Sequence, residues 1–100
     1  MGGLDVPEIT ITNNVSDEIE AFKKKQKLNK KIIFITGRCH PGESNGSWMV
    51  HGLIEFLLSQ NKFSQFLREN IVFKIFPMIN PDGVVIGNYR TGLCGKDFNR

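Results

Sequence analysis

Two six-residue runs carry the most continuous apolar character in the chain. They are "KIIFIT" at Lys31–Thr36 and "IVFKIF" at Ile71–Phe76. The first is rich in β-branched residues and does not alternate. That pattern predicts a strand buried on both faces, like a central strand of an α/β sheet. The second is a strand stopped by Pro77. Between them, Val50, Leu53, Ile54, Leu57 and Leu58 recur at helical spacing, with Ser44 or Asn45 available as the cap. Phe63, Phe66 and Leu67 suggest a second, shorter helix.

The flanks are less regular. Ile9 to Thr12 is β-branched throughout, follows Pro7, and predicts a short strand ended by Asn13 and Asn14. Ser16 then reads as an N-cap, with Asp17 and Glu18 in a first turn and lysines at the far end. The large apolar anchors of that helix are only Ile19 and Phe22, around the small Ala21. "NPDG" at Asn80–Gly83 is a turn signal, followed by Val84, Val85 and Ile86 and then a glycine-rich loop to Arg100. Strand, helix, strand in this order predicts an α/β fold: a mixed, largely parallel sheet with helices on both faces.

Composition narrows the class. One hundred residues make one small domain or a piece of a larger one, and 40% hydrophobic with 23% charged is globular rather than disordered. The net charge of +3 draws heavily on Lys23, Lys24, Lys25, Lys27, Lys30 and Lys31. Aromatic residues do not interleave with this run as they do on base-stacking surfaces, so no nucleic-acid partner is expected. A solvated loop or helix end explains the run better than an acidic partner does. Cys39 and Cys94 lack zinc-ribbon spacing. No secretory signal and no membrane-length apolar stretch is present, which fits a reducing, cytoplasmic setting. There the sequons at Asn14 and Asn45 read as chance matches. Val6 stands where a myristoylation signal carries Ser or Thr.

The candidate chemistry lies in "TGRCHPGESNGSWM", Thr36–Met49. His40 and Glu43 sit in a Pro-Gly turn between a strand and a helix, and ligands of open α/β sheets bind beyond the carboxyl ends of strands. Imidazole and carboxylate are both good zinc ligands. HxxE alone is a weak signal, and the alternative is a surface histidine with a helix-start glutamate complementing the dipole.

Three stretches in order are more specific. "RCHPGESNGSWM", "FPMINPDGVVIGNYR" and "GLCGKDFNR" together resemble the catalytic domain of the zinc metallocarboxypeptidases. They come nearest to the cytosolic carboxypeptidase branch, which removes C-terminal residues, often glutamates, from tubulin and other proteins. The resemblance covers most of Lys31–Arg100, and "DVPEITIT" extends it upstream. Cys39 replaces the valine expected before the histidine and reads as a small buried side chain.

The resemblance implies roles for individual residues, and each has a plainer alternative. His40 and Glu43 would be two ligands of Zn2+. Asp97 would orient the His40 ring, or else be a polar turn residue. Arg90 would polarise the scissile carbonyl, or else be a surface arginine. Asn99 and Arg100 would bind the substrate's terminal carboxylate, or else close a polar loop. "NPDG" would shape the loop that carries Arg90. The implied reaction is zinc-assisted hydrolysis at a peptide or protein C-terminus.

That machinery needs a third zinc ligand and a general-base glutamate, both expected downstream of Arg100. His51 is the only other histidine, and it sits inside the predicted helix. The chain therefore reads as a partial catalytic domain over residues 1–100, weakly folded and inactive alone. Two other readings remain: an aspartoacylase-like zinc deacylase, which shares the fold and HxxE, and a non-catalytic or truncated relative that only binds a partner. The downstream motifs favour the peptidase.

Overall fold

The computed structural model describes residues 3–13, 16, 20, 24 and 30–100. Its elements run β1 (Ile9–Ile11), β2 (Lys31–Thr36), α1 (Ser44–Leu58), α2 (Lys62–Asn70), β3 (Ile71–Phe76) and α3 (Pro81–Ile86). The helix expected from Ser16 falls largely outside the described residues. The sheet is mixed, in the order β1-β3-β2. β3 pairs parallel with β2, Ile33 opposite Phe73, and antiparallel with β1, Ile9 opposite Ile75.

Strand alternation explains the core. The register puts Ile9, Ile11, Ile33, Ile35, Ile71, Phe73 and Ile75 on one face of the sheet. Val50, Leu53, Ile54 and Leu57 of α1 and Leu67 of α2 pack there around Ile11, Phe73 and Ile75. The helical spacing read from the sequence therefore marks the buried stripe of α1, except that Leu58 is exposed. In α2 the two phenylalanines, Phe63 and Phe66, are also exposed. The buried position is Ser64, whose hydroxyl donates to the carbonyls of Ser59 and Asn61 at 3.0 and 2.8 Å.

Three expectations change. Among the described residues β2 is not a central strand. It lies at one end of the sheet order and Phe34 is 63% exposed, with one side stacked on Phe76 at 6.4 Å. Its apolar run is there, but a second neighbour is absent among the described residues. The cap of α1 is neither Ser44 nor Asn45: the helix starts at Ser44, and Glu43 occupies the cap position with no side-chain bond to the helix backbone. "NPDG" opens a helix instead of making a free turn. Asn80 caps α3 by accepting from the Gly83 N–H at 3.1 Å, Pro81 follows at the first helical position, and Asp82 complements the dipole. No described helix is long and apolar enough to cross a membrane.

The parallel pair also aligns the two segments that leave the sheet at one end. Gly37 continues the pairing past β2, donating to the Phe76 carbonyl at 2.8 Å and accepting from Ile79 at 3.0 Å. The turn after β2 and the start of α3 after β3 thus emerge side by side, at the carboxyl ends of both strands.

Candidate active site

The turn after β2 is wound tightly. Glu43 N–H donates to the His40 carbonyl at 3.1 Å, and Ser44 N–H to the Gly42 carbonyl at 3.1 Å. Arg38, just upstream, has φ of 55°, a left-handed conformation that non-glycine residues seldom adopt. Its side chain compensates by stapling the turn, donating to the Pro41 carbonyl at 2.6 Å and to Ser47 Oγ at 2.9 Å. Asn80 holds the turn from beneath. It is 2% exposed, and its amide donates to the Cys39 carbonyl at 3.2 Å while its oxygen caps α3. Cys39 itself is half-buried rather than fully buried.

These braces bring four of the residues singled out in the sequence together. His40 is 7% exposed. Its Nδ1 lies 3.0 Å from Glu43 Oε1, and its Nε2 lies 3.1 Å from Asp97 Oδ1. Arg90 donates from Nε and Nη2 to Asp97 Oδ2 at 3.1 and 3.0 Å, and its Nη1 lies 3.9 Å from Glu43 Oε1. Asp97 reaches the centre because Thr91 and Asp97 bridge across the closing loop.

The charge on Asp97 bears on which His40 nitrogen carries the hydrogen. Asp97 has its pKa lowered from 3.8 to about 2, first by the backbone N–H of Asn99 and then by bonds from Arg90 and His40, against partial desolvation. An ionised carboxylate only accepts, so a hydrogen bond between His40 and Asp97 requires the hydrogen on Nε2. Arg90 Nη2 lies 3.1 Å from that nitrogen, a spacing that only the other tautomer would make a hydrogen bond. With Nε2 protonated, the Nδ1 lone pair faces Glu43 Oε1. Two electron-rich atoms 3.0 Å apart need a cation between them, a proton or a metal. Donors on one tetrahedral zinc, at about 2.0–2.2 Å each, stand about 3.3 Å apart. The donor pair therefore fits zinc in kind and nearly in spacing. Two ligands are one short of a catalytic set, and no three His, Cys, Asp or Glu among the described residues form a metal-holding group.

The remaining candidates lie outside this cluster. Asn99 gives its backbone N–H to Asp97 Oδ1 at 2.9 Å. Arg100 turns its guanidinium onto the Asn99 carbonyl at 2.8 Å. Both are exposed, and neither side chain bonds His40, Glu43 or Arg90. His51 is exposed on α1, against Glu55 at 3.5 Å. It follows Glu43 by eight residues, about 12 Å of helix rise. Sequence reasoning missed Arg38 and Asn80. Asn followed by Pro and an acidic residue is a helix-start signature, so Asn80 was within reach. Arg38 left no signal, because nothing in its sequence marks a positive φ.

Known proteins share this arrangement of chain. The zinc carboxypeptidase family model matches residues 2–100. Cytosolic carboxypeptidase 2 of Danio rerio is 56% identical over 75 residues, which is 75% of this chain and 10% of that protein. Cytosolic carboxypeptidase 2 of Homo sapiens is 46% identical over 100 residues, covering 100% of this chain and again 10% of the relative. Among solved structures, a putative carboxypeptidase A from Shewanella denitrificans OS-217 superposes with a TM-score of 0.80 at 34% identity. That match covers 97% of this chain and 23% of the other.

Proposed function

This chain belongs to the zinc carboxypeptidase family, and from that premise we propose that residues 1–100 are part of the catalytic domain of a zinc-dependent carboxypeptidase. The observation that carries the reading is the convergence of His40 Nδ1 and Glu43 Oε1, with Asp97 holding the opposite ring nitrogen. Histidine ligands are oriented by such a carboxylate, which fixes the tautomer and raises the basicity of the ligating nitrogen.

His40 and Glu43 would hold the ion. The chemistry that zinc supplies there is Lewis acidity toward a carbonyl and acidification of water. Arg90 donates to the oxygen of the scissile carbonyl, where negative charge develops, while Asp97 holds the guanidinium in place. Asn99 and Arg100 receive the terminal carboxylate of the substrate, which requires Arg100 to leave the Asn99 carbonyl. Selection of a free chain end is the consequence of that clamp. The third ligand and the general base come from outside these 100 residues, so the isolated chain is inactive. The substrates are peptide or protein C-termini in the cytoplasm, and acidic tails ending in glutamate, such as those of tubulin, are the class to test first.

The test uses the full-length protein that carries this segment. His40→Ala lowers zinc affinity and removes hydrolysis of peptides with C-terminal glutamate by at least about a hundredfold. An unchanged zinc affinity would sink the reading. Zinc binding without hydrolysis in the wild type would favour a non-catalytic binding protein instead.

A further inference from the structure

The turn that carries His40 and Glu43 touches the loop that carries Arg90 at a contact the proposed chemistry does not use. Gly42 donates its N–H to the Tyr89 carbonyl at 2.8 Å. The Tyr89 ring lies directly over the same glycine: a Cβ built on Gly42 would come within 2.3 Å of Tyr89 Cδ2 and 2.7 Å of Cε2. Gly42 immediately precedes one candidate ligand and Tyr89 immediately precedes Arg90. Tyr89 is 69% exposed, so its ring is spent on this contact and on solvent, not on the core.

A second brace lies at Gly83. There an added Cβ would meet Pro41 Cγ at 2.5 Å and the Thr91 carbonyl at 2.7 Å. Pro41 belongs to the ligand turn and Thr91 comes directly after Arg90, so α3 joins the same two segments.

We propose that Tyr89 is a positioning residue that locks the His40–Glu43 turn to Arg90 by capping Gly42 with its ring; this rests on the zinc carboxypeptidase reading above. Glycine is the residue with the most backbone freedom to lose, and a loose Gly42 would let the Glu43 carboxylate wander from His40 Nδ1. The ring removes that freedom without touching the metal. Substitution of groups that orient ligands typically costs about ten- to a hundredfold in metal affinity.

The experiment measures zinc affinity of the full-length protein against a chromophoric chelator, with zinc alone as the probe. The variants are Tyr89→Phe, Tyr89→Ala, Gly42→Ala and the Gly42→Ala/Tyr89→Ala double. Tyr89→Phe keeps the ring and retains wild-type affinity. Tyr89→Ala and Gly42→Ala each weaken zinc about tenfold, since the new methyl displaces the ring that the other variant deletes. The double variant is then no weaker than either single. Cobalt substituted for zinc gives a changed visible spectrum in both singles, which mere loss of stability would not produce. Affinity unchanged in Gly42→Ala and Tyr89→Ala, or effects that multiply in the double, would overturn the positioning role while leaving the zinc reading intact. A wild type that takes up no zinc would overturn both.

Discussion

β2 and β3 are alike as sequence and unlike as structure. Each is six residues long and dominated by isoleucine and phenylalanine. β3 is paired on both sides, and Val72, Phe73 and Ile75 are buried, Ile75 to 0% exposure. β2 is paired on one side only among the described residues. Its Ile33 and Phe34 are exposed. Apolar content records that a strand is meant to be covered on its faces. It carries no information about which neighbours do the covering. The chain spans about 10% of the human relative and 23% of the solved Shewanella structure that it matches.

The largest expected effect breaks that comparison at its core. Ile75→Ala in the 100-residue chain removes a fully buried side chain from the contact of the sheet with α1, costing about 2–5 kcal/mol. Phe34→Ala deletes more atoms and costs under about 0.5 kcal/mol, because its ring is already mostly wet. Urea unfolding reads both, with a stabilising osmolyte present because the chain alone is expected to be weakly folded. Equal costs would mean that β2 is covered after all. The comparison sharpens in a longer protein carrying the segment: where another strand or helix covers Phe34, the same substitution moves to about 3–5 kcal/mol.

A smaller effect is expected where the strands end. Asn80→Ala leaves the Cys39 carbonyl without its donor and α3 without its cap, costing about 1–3 kcal/mol. Asn80→Asp keeps the acceptor for the Gly83 N–H but sets a buried carboxylate against the Cys39 carbonyl, so near neutral pH it melts well below wild type. An aspartate variant as stable as wild type would mean that the Cys39 bond contributes nothing.

These residues also mark how far the sequence could be read. The strands β2 and β3 were legible as short continuous apolar runs, and helices α1 and α2 because their apolar residues recur at the helical period. His40, Glu43, Arg90 and Asp97 were legible through a resemblance spread over three motifs. HxxE alone is a weak signal that leaves the surface histidine as the plainer reading. What was not legible depends on partners distant in sequence. Nothing local says that Asn80 reaches Cys39, that Tyr89 lies over Gly42, or that β2 has one neighbour fewer than β3. Asn99 and Arg100 are a further case: the motif assigns them a substrate, while the chain by itself folds them onto the Asn99 carbonyl and Asp97.

The smallest expected effect tests how β3 is secured on its better-covered flank. Glu8, one residue before β1, pairs with Lys74 of β3, and Lys74 also donates to Thr10 Oγ1 at 2.9 Å across the same strand pair. The Lys74 bond lowers the Glu8 pKa below its ordinary 4.5. A carboxyl depressed on folding contributes stability that is fully present above its unfolded value and is lost as pH falls through the folded one. The wild type should therefore melt slightly above Glu8→Gln near pH 7. The gap should close as pH drops below 4.5, the ordinary value for that carboxyl, and added salt should narrow it at neutral pH. β2 has no such pair across its outer edge among the described residues, so acid should loosen the β1 flank toward the condition β2 is already in. Amide exchange would see this as faster exchange in β1 and the β1-facing amides of β3, with β2 unchanged. A gap that widened in acid would mean that Glu8 is held by something other than Lys74.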